Sequence, residues 1–280
     1  MSPKPVDIAG IARKTYATEA EMGKAAAEEV GALLRDLTVR DGVPVLLNLA
    51  AAPSQDAFLD ALSAEEGIDW TKVTAIHLDE YFDLPADHPN TFRSYLQEHI
   101  ISRVPIPAGQ VHFIKDVPAD TPAALAEEYG RRALRILKDV RAAGGVYLAC
   151  IGIGVNGHIA FNEPGSAIRT DRFLVPIEID AVSVQQQYDD YKNHPDPAAR
   201  YATLDDVPRR AITVSCAGIL AADRIVCLVP GPQKAAAVRG MWDGPVSDDM
   251  PASLLRLHPC VTVYLEVDSA ARLDHRPTPA

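Results

Sequence analysis

A series of short apolar runs, each followed by a helical pattern, limits this chain to few folds. VPVLLNL (residues 43–49) is continuously apolar rather than alternating, as expected of a strand buried on both faces of a parallel sheet. VTAIHL (73–78) is a second such run, and residues 54–64 between the two have the length and pattern of a crossover helix, which makes a βαβ unit. The alternation continues through helices at 90–104 and 122–142 and the strand GVYLACI (145–151). The strands AITVSC (211–216) and DRIVCLVP (223–230), a helix at 232–241 and a last strand in CVTVYLEV (260–267) follow. Ahead of all of these, residues 18–37 read as an amphipathic helix opened by Thr18, with Glu21 at capping-box spacing. Strands alternating with helices over the whole length predict an α/β fold, a single domain over 1–280, doubly wound around a mostly parallel sheet with helices on both faces.

One segment departs from this rhythm. VSVQQQYDDYKNHPDPAARYATLDDVP (182–208) is polar, rich in Gln, Asp, Asn and Pro, and carries no sustained apolar period. It is expected to be a long irregular insertion, and in a compact domain that is either a lid or binding loop, or a disordered surface loop.

With 27 Lys and Arg against 38 Asp and Glu, the net charge of -11 repels a phosphate backbone, so nucleic acid is not an expected partner. A small anion remains possible, because one lysine and a few backbone amides can hold a phosphate whatever the global sign. Cys150, Cys216, Cys227 and Cys260 lie far apart in or beside apolar runs and form no cluster at metal-ligand spacing, which reads as reduced core thiols and no metal site. The start, MSPKPVDIAGIARK, has no continuous apolar segment or cleavage site, and no later run approaches the roughly 20 residues of a membrane span. A cytoplasmic protein without a membrane partner is the expectation.

Ligands of open α/β sheets bind beyond the carboxyl ends of the strands, which directs attention to the residues that follow each run. After the first comes NLAAAPSQDAF, where Ser54 is placed to cap the next helix and, with Gln55 in the same turn, to contact an anion. After the second comes HLDEYFDLPADHP. Strand alternation lets only one of Asp79 and Glu80 face a site; Asp79, nearer the strand, is taken as a general base, with Glu80 assigned to the substrate beside it.

After the third run comes IGIGVNGHIAFNEP, whose Gly152, Gly154 and Gly157 permit tight turns and close approach to a ligand. His158 can give or take a proton at neutral pH, and Glu163, five residues on, can fix its tautomer. Asn156 stands two residues before the histidine. After DRIVCLVP comes GPQKAAA, with Lys234 in the first turn of a helix. A lysine there opposes the helix dipole unless a bound anion compensates, the alternative being a side chain that extends to solvent.

HLDEYFDLPADHP, IGIGVNGHIAFNEP and GPQKAAA, in this order, resemble the glucosamine-6-phosphate deaminase (isomerase) family, within a superfamily shared with 6-phosphogluconolactonase. The resemblance runs from about the first strand to His258. GHIAFNEP is its most specific block, since the lactonases look like GHTAS there and lack the Asn-Glu-Pro. The resemblance implies that Asp79 moves a proton between C2 and C1 of an open-chain amino sugar and that His158 assists ring opening. It also implies that Glu163 positions the histidine, that Lys234 holds the sugar phosphate, that 182–208 is a mobile lid, and that no cofactor takes part.

Three positions depart from the family's pattern. An asparagine, Asn156, stands where the deaminases have an aspartate; it can hydrogen-bond the imidazole or the substrate but cannot stabilise an imidazolium by charge. Ala51-Ala52-Pro53-Ser54 replaces a Thr-Gly-Gly-Thr-like turn, and Pro53 removes a backbone donor. Gln185 to Gln187 lie near the place of the family's lid arginine. These departures leave a lactone hydrolase and a non-catalytic sugar or sugar-phosphate binder as alternatives to a deaminase. A homo-oligomer is the general expectation for a soluble enzyme.

Overall fold

The structure, a computed structural model, describes residues 6–8, 11–165, 170–194 and 196–273. Both ends of the expected 1–280 domain lie outside them. Ten strands are described: β1 Val6–Ile8, β2 Ile11–Tyr16, β3 Val45–Leu49, β4 Val73–His77, β5 Asp79–Tyr81, β6 Val146–Ile151, β7 Leu174–Glu178, β8 Arg210–Val214, β9 Arg224–Val229 and β10 Val261–Glu266.

Seven of them form one sheet in the order β1-β2-β10-β9-β6-β3-β4, parallel throughout except for β1 against β2. Of the two continuously apolar runs, the first is β3, an interior strand whose every residue is buried, and the second is β4 at the edge of the sheet. Burying apolar side chains on both faces is what removes the alternation from these sequences.

Seven α-helices are described: α1 Glu19–Arg35, α2 Asp56–Ser63, α3 Phe92–His99, α4 Pro122–Ala142, α5 Ala181–Tyr191, α6 Cys216–Leu220 and α7 Ala235–Asp243. The core has two parts, one on each face of the sheet. On one face α4 lays Leu125, Tyr129, Ala133, Leu137 and Val140 against the strands. On the other, α1 and α2 contribute Met22, Ala26, Val30, Phe58 and Leu62. Thr18 caps α1 by accepting the Glu21 N–H, while the Glu21 carboxylate accepts from Ala17 N–H rather than from the cap residue itself.

AITVSC does not join the main sheet. It forms β8 at the centre of a second, antiparallel sheet ordered β5-β8-β7. The chain leaves the main sheet immediately after β4, with the Leu78 carbonyl accepting Val214 N–H at 2.7 Å. Asp79 therefore stands on the small sheet, in register with Thr213.

The segment 182–208 is not the irregular loop expected from its composition. Its first third lies wholly in α5, followed by single 3-10 turns at Pro197–Ala199 and Leu204–Asp206. Val184, Gln187 and Tyr191 are buried at i, i+3 and i+7, a helical face concealed in the sequence because a glutamine fills one of its positions.

Candidate active site

In the main sheet, β3 leads outward to β4 in one direction, whereas β6, β9 and β10 follow in the other. The strand order thus switches between β3 and β6, where an α/β sheet opens a crevice at its carboxyl edge. A pocket of about 60 Å³ occupies that crevice, walled by Ala50 to Ala52 after β3 and by Gly152 to Gly154 after β6. Asp79, His158, Gln55, Ser54 and Lys234 all line it, with Gln186 and Gln187 closing it from α5. A second cavity of about 790 Å³ adjoins it and shares Ala52, Ser54, Gln186 and Lys234 with it.

Asp79 and Glu80 go to opposite sides of β5. Asp79 faces the pocket, and burial together with the Glu80 charge pushes its carboxyl well above the usual carboxylate range. Glu80 does not reach the pocket, which corrects its assignment to the substrate. Its carboxylate accepts N–H groups of Tyr81, Phe92 and Arg93, two of them in the first turn of α3, where free amides and the helix dipole attract an anion. Burial nevertheless raises its pKa to about 7 against these donors.

The loop after β6 presents His158. A turn closes from Gly157 N–H to the Gly154 carbonyl at 3.0 Å, with Gly157 at φ +90°, a conformation that L side chains rarely adopt. Gly154 serves by having no side chain, because a Cβ there would lie 2.1 Å from the Cε1 and Nε2 atoms of His158. Ala160, also in the pocket wall, adopts φ 51° without being glycine, a local strain of the kind stored near reactive groups.

On its other edge the imidazole Nδ1 lies 2.9 Å from Ser183 Oγ and 3.4 Å from Glu163 Oε2. A carboxylate has no proton to give, so this arrangement favours the proton on Nδ1 and leaves Nε2 free. Burial works to raise the Glu163 carboxyl, but hydrogen bonds from His158, Ser183 and Asn156 outweigh it and hold the group below its ordinary range. Asn156 does not face the pocket. Its Oδ1 accepts the His158 N–H at 3.0 Å, and its Nδ2 donates to Glu163 Oε2 at 2.8 Å and to Asp180 Oδ2 at 2.9 Å.

Lys234 closes the 3-10 turn Pro232–Lys234 at the start of α7 and does not extend to solvent, being only 5% exposed. Burial lowers its pKa to about 8, with Asp190 acting the other way. Its ammonium donates to Gln186 Oε1 at 3.2 Å, and the same oxygen accepts Val155 N–H at 3.3 Å. Ser54 is not the helix cap that its position suggested. It lies inside the 3-10 turn Pro53–Gln55, which begins a step earlier at Ala52, and its Oγ accepts from Gln55 Nε2 at 3.3 Å.

The family described as glucosamine-6-phosphate isomerases/6-phosphogluconolactonase matches residues 17–263. This chain belongs to that family. Among relatives of the family, a glucosamine-6-phosphate deaminase of Halothermothrix orenii is 35% identical over 209 residues, 75% of this chain and 78% of the relative. Another, of an Arthrobacter species, is 33% identical over 256 residues, 90% of this chain and 89% of the relative. Of solved structures, a monomeric glucosamine-6-phosphate deaminase superimposes with a TM-score of 0.78 at 26% identity, over 93% of this chain and 99% of that one. The 6-phosphogluconolactonase of Trypanosoma brucei shares the fold, with a TM-score of 0.69 at 18% identity over 98% of this chain and all of that one.

The family's shared fold accounts for the crevice, whereas several residues that shape it had no signal in the sequence. Ser183 falls in the segment expected to be irregular, and Asp180 stands just ahead of it. Asn162 lies within GHIAFNEP, where its Nδ2 donates to the Ile159 and Val214 carbonyls, both at 2.8 Å, and its Oδ1 accepts Cys216 N–H at 3.1 Å. It ties the histidine loop to the small sheet. No helix among the described residues is long and apolar enough to cross a membrane.

Proposed function

We propose that the protein is a glucosamine-6-phosphate deaminase, converting the amino-sugar phosphate to fructose 6-phosphate and ammonia. The observation that carries this reading is the meeting of Asp79, His158 and Lys234 in one pocket at the switch point of the sheet, with Glu163 behind the histidine. His158 relays a proton between the ring oxygen and the anomeric hydroxyl, using Nε2 while Nδ1 stays bonded to Glu163 and Ser183. The pyranose opens, and Asp79 takes the C2 proton to give an enolamine. Return of the proton to C1 gives a ketimine; water adds at C2 and ammonia leaves.

An elevated Asp79 pKa suits this task, because a stronger base removes a carbon-bound proton more readily once it is ionised. Lys234, with Ser54 and Gln55 beside it, is the group for the phosphate.

Gln186 and Gln187 of α5 line the 60 Å³ pocket, and Gln186 also lines the cavity of about 790 Å³ beside it, so α5 stands at the entrance through which a sugar reaches Asp79 and His158. In that sense α5 is the lid. Its closure would exclude water from the enolamine.

The test is release of ammonia and fructose 6-phosphate from glucosamine 6-phosphate, beside hydrolysis of 6-phosphogluconolactone. Turnover of the amino sugar supports the reading; turnover of the lactone alone replaces it with the hydrolase, and binding without turnover of either replaces it with a sensor.

A further inference from the structure

The carboxamide of Asn156 is held between two carboxylates. Both of its N–H bonds are used, one to Glu163 Oε2 at 2.8 Å and one to Asp180 Oδ2 at 2.9 Å, and its oxygen accepts the His158 main-chain N–H. Each contact requires the same orientation of the amide, NH2 toward the acids and oxygen toward the histidine. Remove Asp180 and one of the two contacts that hold the NH2 end disappears.

Asp180 has a second attachment. Its Oδ1 accepts Ser183 N–H at 2.8 Å and so caps α5, the helix whose Ser183 hydroxyl touches His158 Nδ1. The two oxygens of this one side chain thus join the helix start to the support of the histidine. Besides Asn156, Glu163 is held by His158 and Ser183, themselves parts of the same assembly, while its Oε1 is buried with no hydrogen-bond partner among the described residues.

We propose that Asp180 is a positioning residue for His158, acting through Asn156 on Glu163 and through the α5 cap on Ser183. The inference rests on the deaminase reading for its kinetic test only. In this chain the negative charge behind the histidine is shared between Glu163 and the residue that caps α5. Seating of that helix and orientation of the imidazole are then one event. It also accounts for an asparagine at 156. An aspartate there would set a third carboxylate against two others and supply no donor to either.

The test separates the cap from the positioning. Asp180→Ser keeps a side-chain oxygen able to cap α5 but is too short to reach Asn156. Asp180→Asn keeps the cap and turns an NH2 toward the NH2 of Asn156. Both variants should fold, with kcat for ammonia release down about 10-fold, the factor expected for one hydrogen bond to a charged group, and KM within about twofold. Asn156→Ala should lose as much, and adding Asp180→Ser to it should cost little more, because the two residues act in series.

Independently of any substrate, 15N NMR of the histidines should show His158 with its proton on Nδ1 in the parent and a mixture of tautomers in Asp180→Asn. A parent-like kcat and tautomer in both Asp180 variants, or losses that multiply with Asn156→Ala, would overturn the proposal. If the parent releases no ammonia, the deaminase reading falls, and the tautomer comparison still decides the role of Asp180.

Discussion

Asp79 and Glu80, neighbours in one short strand, hold their carboxyl groups in opposite settings: the first faces the pocket, and the second accepts the main-chain N–H of Tyr81 and two more at the start of α3. On the proposed mechanism the pair divides the labour between chemistry and construction. Replacing each in turn should produce different kinds of failure.

Asp79→Asn should fold and bind sugar phosphate but lose roughly 10²- to 10⁴-fold in kcat, the usual worth of a positioned general base. Steady-state ammonia release gives the rate, and circular dichroism checks the fold. A rate within threefold of the parent would remove Asp79 from the mechanism.

Glu80→Ala leaves buried donors at the head of α3 without an acceptor, at a cost of about 1–3 kcal/mol for each unpaired group. Urea unfolding should reveal that loss. Glu80→Gln, which keeps one acceptor oxygen, should lose less.

Two shifted groups frame the pH dependence. The Asp79 base form requires deprotonation above the ordinary carboxylate range, so kcat/KM should fall on acidification earlier than it would for an exposed aspartate. The Lys234 ammonium is lost as pH rises through about 8, so KM for a phosphorylated sugar should climb on the alkaline side. Lys234→Arg, which stays charged, should abolish the alkaline rise in KM, and a KM flat from pH 7 to 9 in the parent would contradict the assignment.

Gly154→Ala places a methyl group where the imidazole edge now rests, 2.1 Å from Nε2. The ring must shift, and a displacement near 1 Å in a reacting group costs on the order of 100-fold. Activity should fall by that factor while the melting temperature changes little.

Much of this was legible in the sequence. The strand β3 stands out because burial on both faces erases alternation, and the helix expected over 122–142 coincides with α4. Asp79, His158 and Lys234 were recoverable because crevice residues follow strands, and that placement depends on connectivity alone. The second sheet was not. AITVSC has the composition of any buried strand, and nothing local says that it pairs with β5 and β7 rather than with β9. Likewise α5 escaped notice because Gln187 lies on its buried face, bonded to the Tyr81 hydroxyl at 2.9 Å instead of to water. Ser54 was misjudged as a cap because Pro53 starts its turn early.

The placement of Asp79 on the small sheet and of His158 at the end of the large one gives the molecule a seam through its reactive centre. Thr213 spans it, paired with Asp79 in the strand ladder and accepting Phe161 N–H from the histidine loop at 3.0 Å. The proposed base and proton relay are therefore carried on separate platforms, pinned together by a hydroxyl and the Asn162 amide. Slippage along that joint changes the gap between them without altering either residue, so rate can drift in evolution through substitutions that never touch the sugar.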